Sequence, residues 1–304
     1  MANVHVVVVN YNTVGLLRRC LKHLFASHCK YPFDVTVVDN GSTEDGLSLL
    51  RDHYPQVQAL RSERNLGFSG GNNLALRSLI TRESADVPRE HSYILLVNSD
   101  LFVAPETIAT LVDFAEARPT VGVVGPRVEK PDGTLDLACR RSFPTPANAF
   151  FKLFGLSRRF PSHARFAAYN LTNLDDSALT EVDAVTGACM LVRLTAIDMV
   201  GLLDEEFFMY GEDLDWAYRI KAAGWQIFYN PATCVLHQKG ATSARQSGRM
   251  IFEFYRAMYL FYRKHYASGS PRPLNWLVTI GIAARGTVAL GLNLLRPAAK
   301  KRVA

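Results

Sequence analysis

Strand-like and helix-like stretches alternate along the first 125 residues of the chain. The run from Val4 to Val9 is apolar and β-branched, which is typical of a strand that is covered on both faces. Apolar residues then recur with helical spacing from Val14 to Phe25. The alternation continues with predicted strands at 34–39, 57–60, 93–97 and 121–124 and predicted helices at 44–53, 71–81 and 105–118. Because strands joined by helical crossovers line up in parallel, the sequence predicts an α/β fold with a mostly parallel central sheet flanked by helices.

Polar residues stand where three of these strands end. They form the stretches Asn10-Tyr11-Asn12, Asp39-Asn40-Gly41-Ser42 and Asn98-Ser99-Asp100. Turn chemistry alone explains any one of them, since these residue types are common in turns. Three in succession indicate a binding edge, because ligands of parallel sheets bind beyond the carboxyl ends of the strands.

A glycine-bearing loop from Arg64 to Asn73 opens the helix predicted at 71–81. Its free backbone amides could receive an anion such as a phosphate. Alternatively, Ser69 or Asn72 simply caps the helix. The loop matches neither the P-loop nor the GxGxxG dinucleotide fingerprint.

The helix predicted at 212–223 carries three acids with three different directions. Stepping 100° per residue, Asp213 lies about 30° from the middle of the apolar arc, Glu212 about 70° and Asp215 about 130°. Asp215 stands four residues before Arg219, so we expect a solvated ion pair on the outer face of the helix. Asp213 turns inward and loses solvation, so it needs compensating partners.

Two interpretations of Asp213 remain open at this point. It could be a buried acid that caps the helix, since carboxylates are favoured in the first turn. The aromatic lead-in from Phe207 to Tyr210 would also wall a substrate cleft, and acids in clefts are more often functional. We therefore expect the chemistry at Asp213.

The stretch between residues 125 and 240 is less regular. A turn of a hairpin is predicted at 131–134, and an irregular, partly helical insert rich in Arg and Phe at about 139–180. That insert is either an acceptor wall or a plain surface insertion. An apolar strand is predicted at 182–193, with the small pair Gly187-Ala188 inside it, and short strands at 225–229 and 233–237, which puts His237 at a strand end.

The last 66 residues are basic and largely apolar. From Lys239 to Ala304 there are 12 Lys and Arg and one acid, Glu253, within a chain whose formal net charge is +6. The run 274–295 is long enough to cross a bilayer, but Arg285 interrupts it. We favour an interfacial helix, with a packed helix or a spanning helix as alternatives, and we expect Lys300-Lys301-Arg302 to attract anionic lipid. The long apolar run argues against a nucleic-acid partner.

Cysteine usage and the N-terminus bear on the compartment. Five cysteines without a CxxC pair suggest neither a disulfide framework nor a zinc site, which favours a reducing cytosol. The first residues lack the basic flank and the apolar length of a secretory signal.

Taken together, these motifs resemble the family 2 glycosyltransferases of GT-A fold, which move a sugar from a nucleoside diphosphate to an acceptor hydroxyl with inversion. The resemblance covers roughly residues 4–240. It rests on the segments that end at Asn12, Ser42, Asn72 and Asp100. It also rests on the segments Gly187-Ala-Cys-Met-Leu, Asp204-Glu-Glu-Phe-Phe and Gly-Glu-Asp213. The sequence around Asn98 and Gly187 most resembles the rhamnosyltransferase branch. Its donors are deoxythymidine-diphosphate sugars, and its acceptors are often lipid-linked glycans.

The resemblance implies roles for individual residues of this chain. Asp213 would be the general base, and Asp100 would bind a divalent metal, Mg²⁺ or Mn²⁺, with His237 either completing that site or bonded to backbone. The residues implied in donor binding are Asn10, Asn12, Asp39, Asn65, Gly67, Asn72, Asn98 and Asp100. Those implied in acceptor binding are Glu212, Tyr210 and Gly187.

One departure from the family pattern concerns the metal. Many relatives carry two acids in a DxD motif, whereas this chain has Asn98-Ser99-Asp100 and therefore one negative charge fewer. Modest metal affinity is the expected consequence.

The resemblance and the charge distribution also predict how the chain is divided. We expect a catalytic domain at 1–238, with a nucleotide-binding part at about 1–125 and an acceptor-binding part at about 126–238, followed by a helical, membrane-associating region at 239–304. The predicted enzyme is peripheral on the cytoplasmic face of the membrane and uses a nucleoside-diphosphate sugar and a glycan or polyprenyl-linked acceptor. A catalytically silent nucleotide-sugar-binding subunit is the alternative. A nucleotidyltransferase is disfavoured, because no basic glycine-rich phosphate loop follows the first strand.

Overall fold

A computed structural model describes residues 1–82, 88–238 and 247–296, and in them one sheet carries nine strands. The strands are β1 (Asn3–Asn10), β2 (Phe33–Asn40), β3 (Gln58–Ser62), β4 (Ser92–Asn98), β5 (Leu101–Val103), β6 (Val121–Glu129), β7 (Thr180–Glu181), β8 (Cys189–Arg193) and β9 (Gln226–His237). The helices are α1 (Val14–Phe25), α2 (Gly46–His53), α3 (Gly67–Arg82), α4 (Thr107–Glu116), α5 (Pro146–Leu153), α6 (Leu156–Arg159), α7 (Ala164–Ala167), α8 (Leu194–Val200), α9 (Glu212–Ala222), α10 (Ser247–His265) and α11 (Arg272–Leu295).

The sheet has a parallel half and a mixed half. Its order is β3-β2-β1-β4-β8-β6-β9-β5, with β7 paired to β9. The first half is parallel, as predicted from the strand and helix alternation. β8 then lies antiparallel between β4 and β6, and β5 and β7 are antiparallel to β9. The predicted α/β fold is confirmed, but the sheet is parallel over only part of its width.

The prediction of a strand at 182–193 is wrong for its first seven residues, 182–188. Only Cys189–Arg193 is a strand, and the amide of Cys189 donates to the carbonyl of Thr186 in a turn. This turn brings Gly187 against Asp213. The segment is apolar because it is buried, and a buried turn needs apolar residues as much as a buried strand does.

The two short strands predicted at 225–229 and 233–237 form one strand, β9. It runs parallel to β6 with a register shift between Pro126 and Arg127. The hairpin turn at 131–134 is confirmed, since the amide of Lys130 donates to the carbonyl of Thr134 and Gly133 has φ +78°.

The core lies between the sheet and its covering helices. Val6, Val7 and Val8 of β1 are fully buried on both faces, as the β-branched run predicts. The five cysteines are free, which confirms the absence of disulfides. The insert after β6 is irregular as predicted, with the short helices α5, α6 and α7 joined by turns.

The C-terminal helix α10 packs against the catalytic-candidate helix α9, and this overturns the prediction for Asp215. The Asp215 side chain is fully buried, not solvated, and it pairs with Arg219 at 2.9 Å, Lys264 at 2.9 Å and His265 at 2.7 Å. Burial alone raises the pKa of Asp215, but the hydrogen bonds from His265 and Lys264 outweigh it and lower the pKa to about 2. Helical periodicity predicted the Arg219 pair but could not reveal a helix that arrives 50 residues later.

Helix α11 lies on α10 through its small and polar side. Gly286 is buried against the Tyr255 ring, and the Tyr262 hydroxyl donates to Asn275 Oδ1 at 2.6 Å. The opposite side is apolar and exposed from Trp276 to Leu295. Among the described residues, α11 is long and apolar enough to cross a bilayer by length and composition alone. The predicted basic run Lys300–Arg302 lies outside the described residues.

Candidate active site

The carboxyl ends of β1, β2 and β4 bring the predicted polar residues to one edge. Asn10 pairs in register with Asp39, and Val9 pairs with Asn98. The Thr13 hydroxyl donates to Asn10 Oδ1 at 2.8 Å and lies 2.9 Å from the hydroxyl of Ser99. Asn10 is therefore joined to the Asn98-Ser99-Asp100 turn, and the predicted edge forms one continuous polar surface.

Asp39 and Asn12 hold the two loops of this edge. Asp39 is buried, accepts from the amide of Ser42 at 3.2 Å and has Arg61 Nε at 3.9 Å. Asn12 adopts the left-handed φ of +53° and its Oδ1 accepts from the amide of Thr43 at 2.8 Å. The non-Gly residue in this conformation indicates a loop whose shape is held by these bonds.

Several amides of the loop from Arg64 to Asn73 bond within the chain, and anion binding by this loop stays a prediction. Helix α3 begins at Gly67, and the amide of Gly67 donates to Asn65 Oδ1 at 2.8 Å. The amide of Phe68 donates to the carbonyl of Phe208 at 2.7 Å, and Asn72 Nδ2 donates to the carbonyl of Phe68. A side chain at Gly67 would collide with Phe208. These residues fasten the edge to the segment before α9, and donor contact by Asn65, Gly67 and Asn72 stays a prediction.

Asp100 and His237 come together where β5 pairs with β9. Leu101 is in register with His237, and His237 Nε2 lies 3.2 Å from Asp100 Oδ1. On the other side of the ring, Nδ1 lies 3.6 Å from Oδ2 of the buried Asp136. Asp136 caps the turn at 137–139, and no signal in the sequence singled it out.

The donor set of this cluster fits a divalent cation that is completed by a substrate. Among the described residues, no group of three or more His, Cys, Asp or Glu side chains forms a preformed cation site. Asp100 and His237 supply one carboxylate and one imidazole, whose outer nitrogen faces a second carboxylate in the manner of ligating histidines. Mg²⁺ and Mn²⁺ sites commonly use one or two such side chains together with phosphate oxygens and water.

A strained turn positions the acids at the start of α9. Tyr210 has φ +69° and Gly211 has φ +77°, so two successive residues are left-handed. A Cβ at Gly211 would lie 3.3 Å from Ala257 of α10 and from the Phe207 ring. Left-handed Tyr costs of order 1–3 kcal/mol and persists only where the surroundings enforce it. The turn aims Glu212 and Asp213 inward, and periodicity predicted this direction for Asp213.

The Asp213 carboxylate is buried with three donors around it. Arg141 Nη2 donates to Oδ2 at 2.6 Å, the amide of Gly187 donates to the same oxygen at 3.1 Å, and the amide of Leu214 donates to Oδ1 at 2.8 Å. Arg141 is also buried and donates to the carbonyl of Val185. Arg141 lies in the Arg- and Phe-rich insert, between Arg140 and Ser142, and no pattern in the sequence links it to Asp213.

Glu212 is buried beside Asp213 without a strong partner. Among the described residues, its Oε2 has no hydrogen-bond partner. Burial, and then the negative charge of Asp213, raise the pKa of Glu212 to about 8, so it holds a proton at neutral pH. A protonated carboxyl donates a hydrogen bond, whereas an ionised one only accepts.

Asp213 and the metal-candidate turn are neighbours through two hydrogen bonds. The amide of Asn98 donates to the carbonyl of Ala188 at 2.9 Å, and the adjacent Gly187 donates to Asp213. The Gly187 position has no room for a side chain without displacing Phe68 or Asp213, at 3.2 and 3.3 Å from an added Cβ. The structure therefore brings the predicted base, the metal candidates and the nucleotide edge into one region.

Comparison with known proteins identifies similar chains. The chain is 29% identical over 297 residues, 97% of its length and 95% of the relative, to N-acetylglucosaminyl-diphospho-decaprenol L-rhamnosyltransferase of Mycobacterium tuberculosis. Its fold matches that of TarS 1–349 of S. aureus with a TM-score of 0.53 at 17% identity, covering 85% of this chain and 64% of that one. It also matches the mannosyltransferase PcManGT of Pyrobaculum calidifontis, solved with GDP-Man and Mn²⁺, with a TM-score of 0.53 at 18% identity, covering 97% and 72%.

These matches confirm the predicted GT-A fold and the predicted class of enzyme. The family profile described as glycosyl transferase family 2 matches residues 5–196, which is more than half of the chain. The chain therefore belongs to glycosyl transferase family 2, and its Mycobacterium tuberculosis relative is a rhamnosyltransferase.

Proposed function

We propose that this glycosyltransferase moves a sugar from a nucleoside-diphosphate donor to a hydroxyl of a glycan or lipid-linked glycan, with inversion at the anomeric carbon. The best candidate for the donor is dTDP-L-rhamnose, because the Mycobacterium tuberculosis relative is named for L-rhamnosyl transfer and aligns over nearly the whole chain. The observation that carries the proposal is the buried Asp213 carboxylate beside the edge that holds Asp39 and Asp100.

Asp213 acts as the general base in this proposal. Its Oδ2 accepts from Arg141 and Gly187, whereas Oδ1 accepts one bond, from Leu214. A carboxylate oxygen has two lone pairs, so Oδ1 keeps one for the proton of the acceptor hydroxyl as that oxygen attacks the anomeric carbon. Arg141 holds the carboxylate in place before the acceptor arrives.

The acceptor is held by Glu212, Tyr210 and Gly187. Glu212 retains a proton at neutral pH and has an unpartnered Oε2, which suits it to bind an acceptor oxygen. Tyr210 is half-buried beside Phe254, and its ring offers an apolar surface to a sugar face. Gly187 leaves room for close approach to Asp213.

The donor is held along the polar edge. Asp39, with Asn10, Asn12 and Asn98, binds the nucleoside part, and Asp100 lies on the diphosphate side with His237. Asp100 and His237 would hold Mg²⁺ or Mn²⁺, which would neutralise the charge that develops on the leaving diphosphate. We assign nucleotide binding to residues 1–125 and acceptor binding to 126–238.

The region 239–304 associates with the inner face of the cell membrane, and the catalytic domain is cytoplasmic. The exposed apolar side of α11 supports this, because its small and polar side is already covered by α10. An exposed apolar side on a helix that is flanked by Arg272 and Arg296 is typical of an interfacial helix.

The experiment is Asp213→Asn, assayed with a panel of nucleotide sugars in the presence of Mn²⁺. We expect retained nucleotide binding by calorimetry and a loss of transfer of at least 100-fold, on the order of what general-base catalysis contributes. Asp132→Asn, an exposed acid in a turn, is the matched control and keeps full transfer. Full transfer by Asp213→Asn would remove the assigned base, and transfer by the purified wild-type chain would exclude the silent-subunit alternative.

A further inference from the structure

The insert between β6 and β7 exposes a cluster of phenylalanine rings. Phe150, Phe154 and Phe160 are 50%, 65% and 45% exposed, and we call these three the aromatic patch. The rings of Phe150 and Phe154 are 4.4 Å apart, one helical turn from each other along α5. Phe151 and Phe166 pack edge to face behind them with ring centroids 5.0 Å apart, so the patch rests on a packed aromatic base. A fixed, outward-facing group of large apolar rings marks a contact surface.

The central part of this insert, residues 137–174, contains no acid. Residues 137–174 hold six Lys and Arg and no Asp or Glu. Arg140 and Arg141 point into the protein and the Lys152 amine lies over the Tyr169 ring, whereas Arg158, Arg159 and Arg165 are exposed around the aromatic patch. The aromatic patch is therefore surrounded by positive charge.

Charge is segregated along the whole chain in the same way. Residues 137–174 and 239–304 together hold 18 of the 34 Lys and Arg and one of the 28 acids. The other 200 residues hold 27 acids against 16 Lys and Arg. A chain that is acidic elsewhere thus carries two basic segments, and each of them exposes large apolar side chains.

We propose that the aromatic patch and its surrounding arginines form a second membrane-binding surface, in contact with an anionic bilayer and separate in sequence from α11. Exposed Phe side chains bury at the boundary between headgroups and acyl chains, and nearby Lys and Arg are attracted to anionic lipid. A second copy of this chain does not fit the surface, because a two-fold contact would place its cations against one another.

This surface continues directly from the candidate active site. Arg141, the partner of Asp213, lies in this insert ahead of α5, and Phe143 packs on Tyr218 of α9 and Phe261 of α10 at 4.9 and 6.4 Å between ring centroids. If the acceptor is lipid-linked, as the proposed function states, membrane contact at this insert brings the base to the depth of the acceptor's headgroup. The inference rests on the proposed function for this consequence only, since vesicle binding is measured without turnover.

The test is binding of the full chain to vesicles of phosphatidylcholine with and without phosphatidylglycerol at about 30 mol%, a fraction that gives the vesicles an anionic surface. We expect Phe150→Ser with Phe154→Ser to lower partitioning on the order of tenfold or more at the same lipid composition. We expect Arg158→Gln with Arg159→Gln to lower it about 30-fold on anionic vesicles and to have little effect on neutral ones. Leu179→Ser is the matched control, an exposed apolar residue near acids and outside the acid-free residues 137–174, and it leaves binding unchanged.

A second measurement reports contact directly. Phe154→Trp in a Trp276→Phe background is titrated with vesicles that contain brominated lipid, with Leu179→Trp as the control. The emission of the tryptophan introduced in the insert should shift to the blue and be quenched by bromine on the acyl chains, whereas the control stays unquenched. Unchanged partitioning of both double variants, or the absence of quenching at position 154, overturns the proposal even if the enzyme proves active. A change in oligomeric state without a change in vesicle binding overturns it in favour of a protein contact.

Discussion

Replacing Arg141 with methionine tests whether the buried pair with Asp213 holds the catalytic candidate in place. Both side chains are about nine-tenths buried, and Arg141 Nη2 lies 2.6 Å from Asp213 Oδ2. Breaking a buried pair by removing one partner costs about 3–5 kcal/mol. Asp213 keeps the amides of Gly187 and Leu214 as donors, so we expect a loss near the lower end, about 3 kcal/mol.

The assay is a double-mutant cycle in equilibrium urea unfolding. The four chains are wild type, Arg141→Met, Asp213→Asn and the double variant. Removing Arg141 from a chain in which the aspartate is already replaced by a neutral amide leaves no buried charge unpaired, so the double variant should lose less than the sum of the two singles. We expect a coupling free energy of about 2 kcal/mol, within the range measured for contacting residues.

Arg140→Met supplies the control for this cycle. Arg140 is buried too, but it donates to the carbonyls of Leu174 and Asp175 and not to Asp213. Its loss should be additive with Asp213→Asn to within about 0.5 kcal/mol. If Arg141→Met fails to fold, Arg141→Lys keeps the charge and gives a smaller loss. A coupling below about 0.5 kcal/mol would refute the reasoning that Arg141 compensates Asp213.

Three further predictions concern buried titrating groups and the metal site. Glu212 holds a proton in the folded chain up to pH about 8 but releases it near 4.5 when unfolded, so wild-type stability falls as pH rises through this window. Glu212→Gln should flatten that fall in denaturation curves recorded between about pH 5 and pH 8, and parallel curves would contradict the assignment. The pKa of Asp215 is about 2 in the folded chain and 3.8 in the unfolded chain, so its contribution to stability is present above about pH 4 and lost as pH falls toward 2. Asp215→Asn should remove that acid-dependent loss of stability. An unchanged acid transition in this variant would contradict the lowered pKa. Asp136→Asn should weaken Mn²⁺ binding about tenfold or more in calorimetry with dTDP, because Asp136 faces His237 Nδ1; equal affinity would mean that it does not orient the imidazole.

Local periodicity predicted those parts of the site that depend on one element. The inward direction of Asp213 follows from its position on α9, and the polar edge at Asn10, Asp39 and Asn98 follows from strands that end side by side. These features could be predicted because the residues that create them are close in sequence or share one repeated unit of the sheet.

Features that depend on distant segments were missed. Arg141 reaches Asp213 across 72 residues, and Asp136 on the loop after β6 reaches His237 at the end of β9. Periodicity predicted a solvated Asp215 because nothing in its own helix covers it. Lys264 and His265, which pair with it, belong to another helix. Pairing of a charge with a remote partner leaves no periodic signal in the sequence, so only the folded chain reveals it.

Helix α9 is held from two opposite sides, with Asp213 facing the insert through Arg141 and Asp215 facing α10 through Lys264 and His265. Ending the chain before residue 247 would remove Lys264 and His265 and expose Asp215. It would also remove Ala257, which packs against Gly211. The family profile stops at residue 196, before α9 begins. A fragment cut to that boundary would keep the polar edge and lose Asp213, the proposed general base.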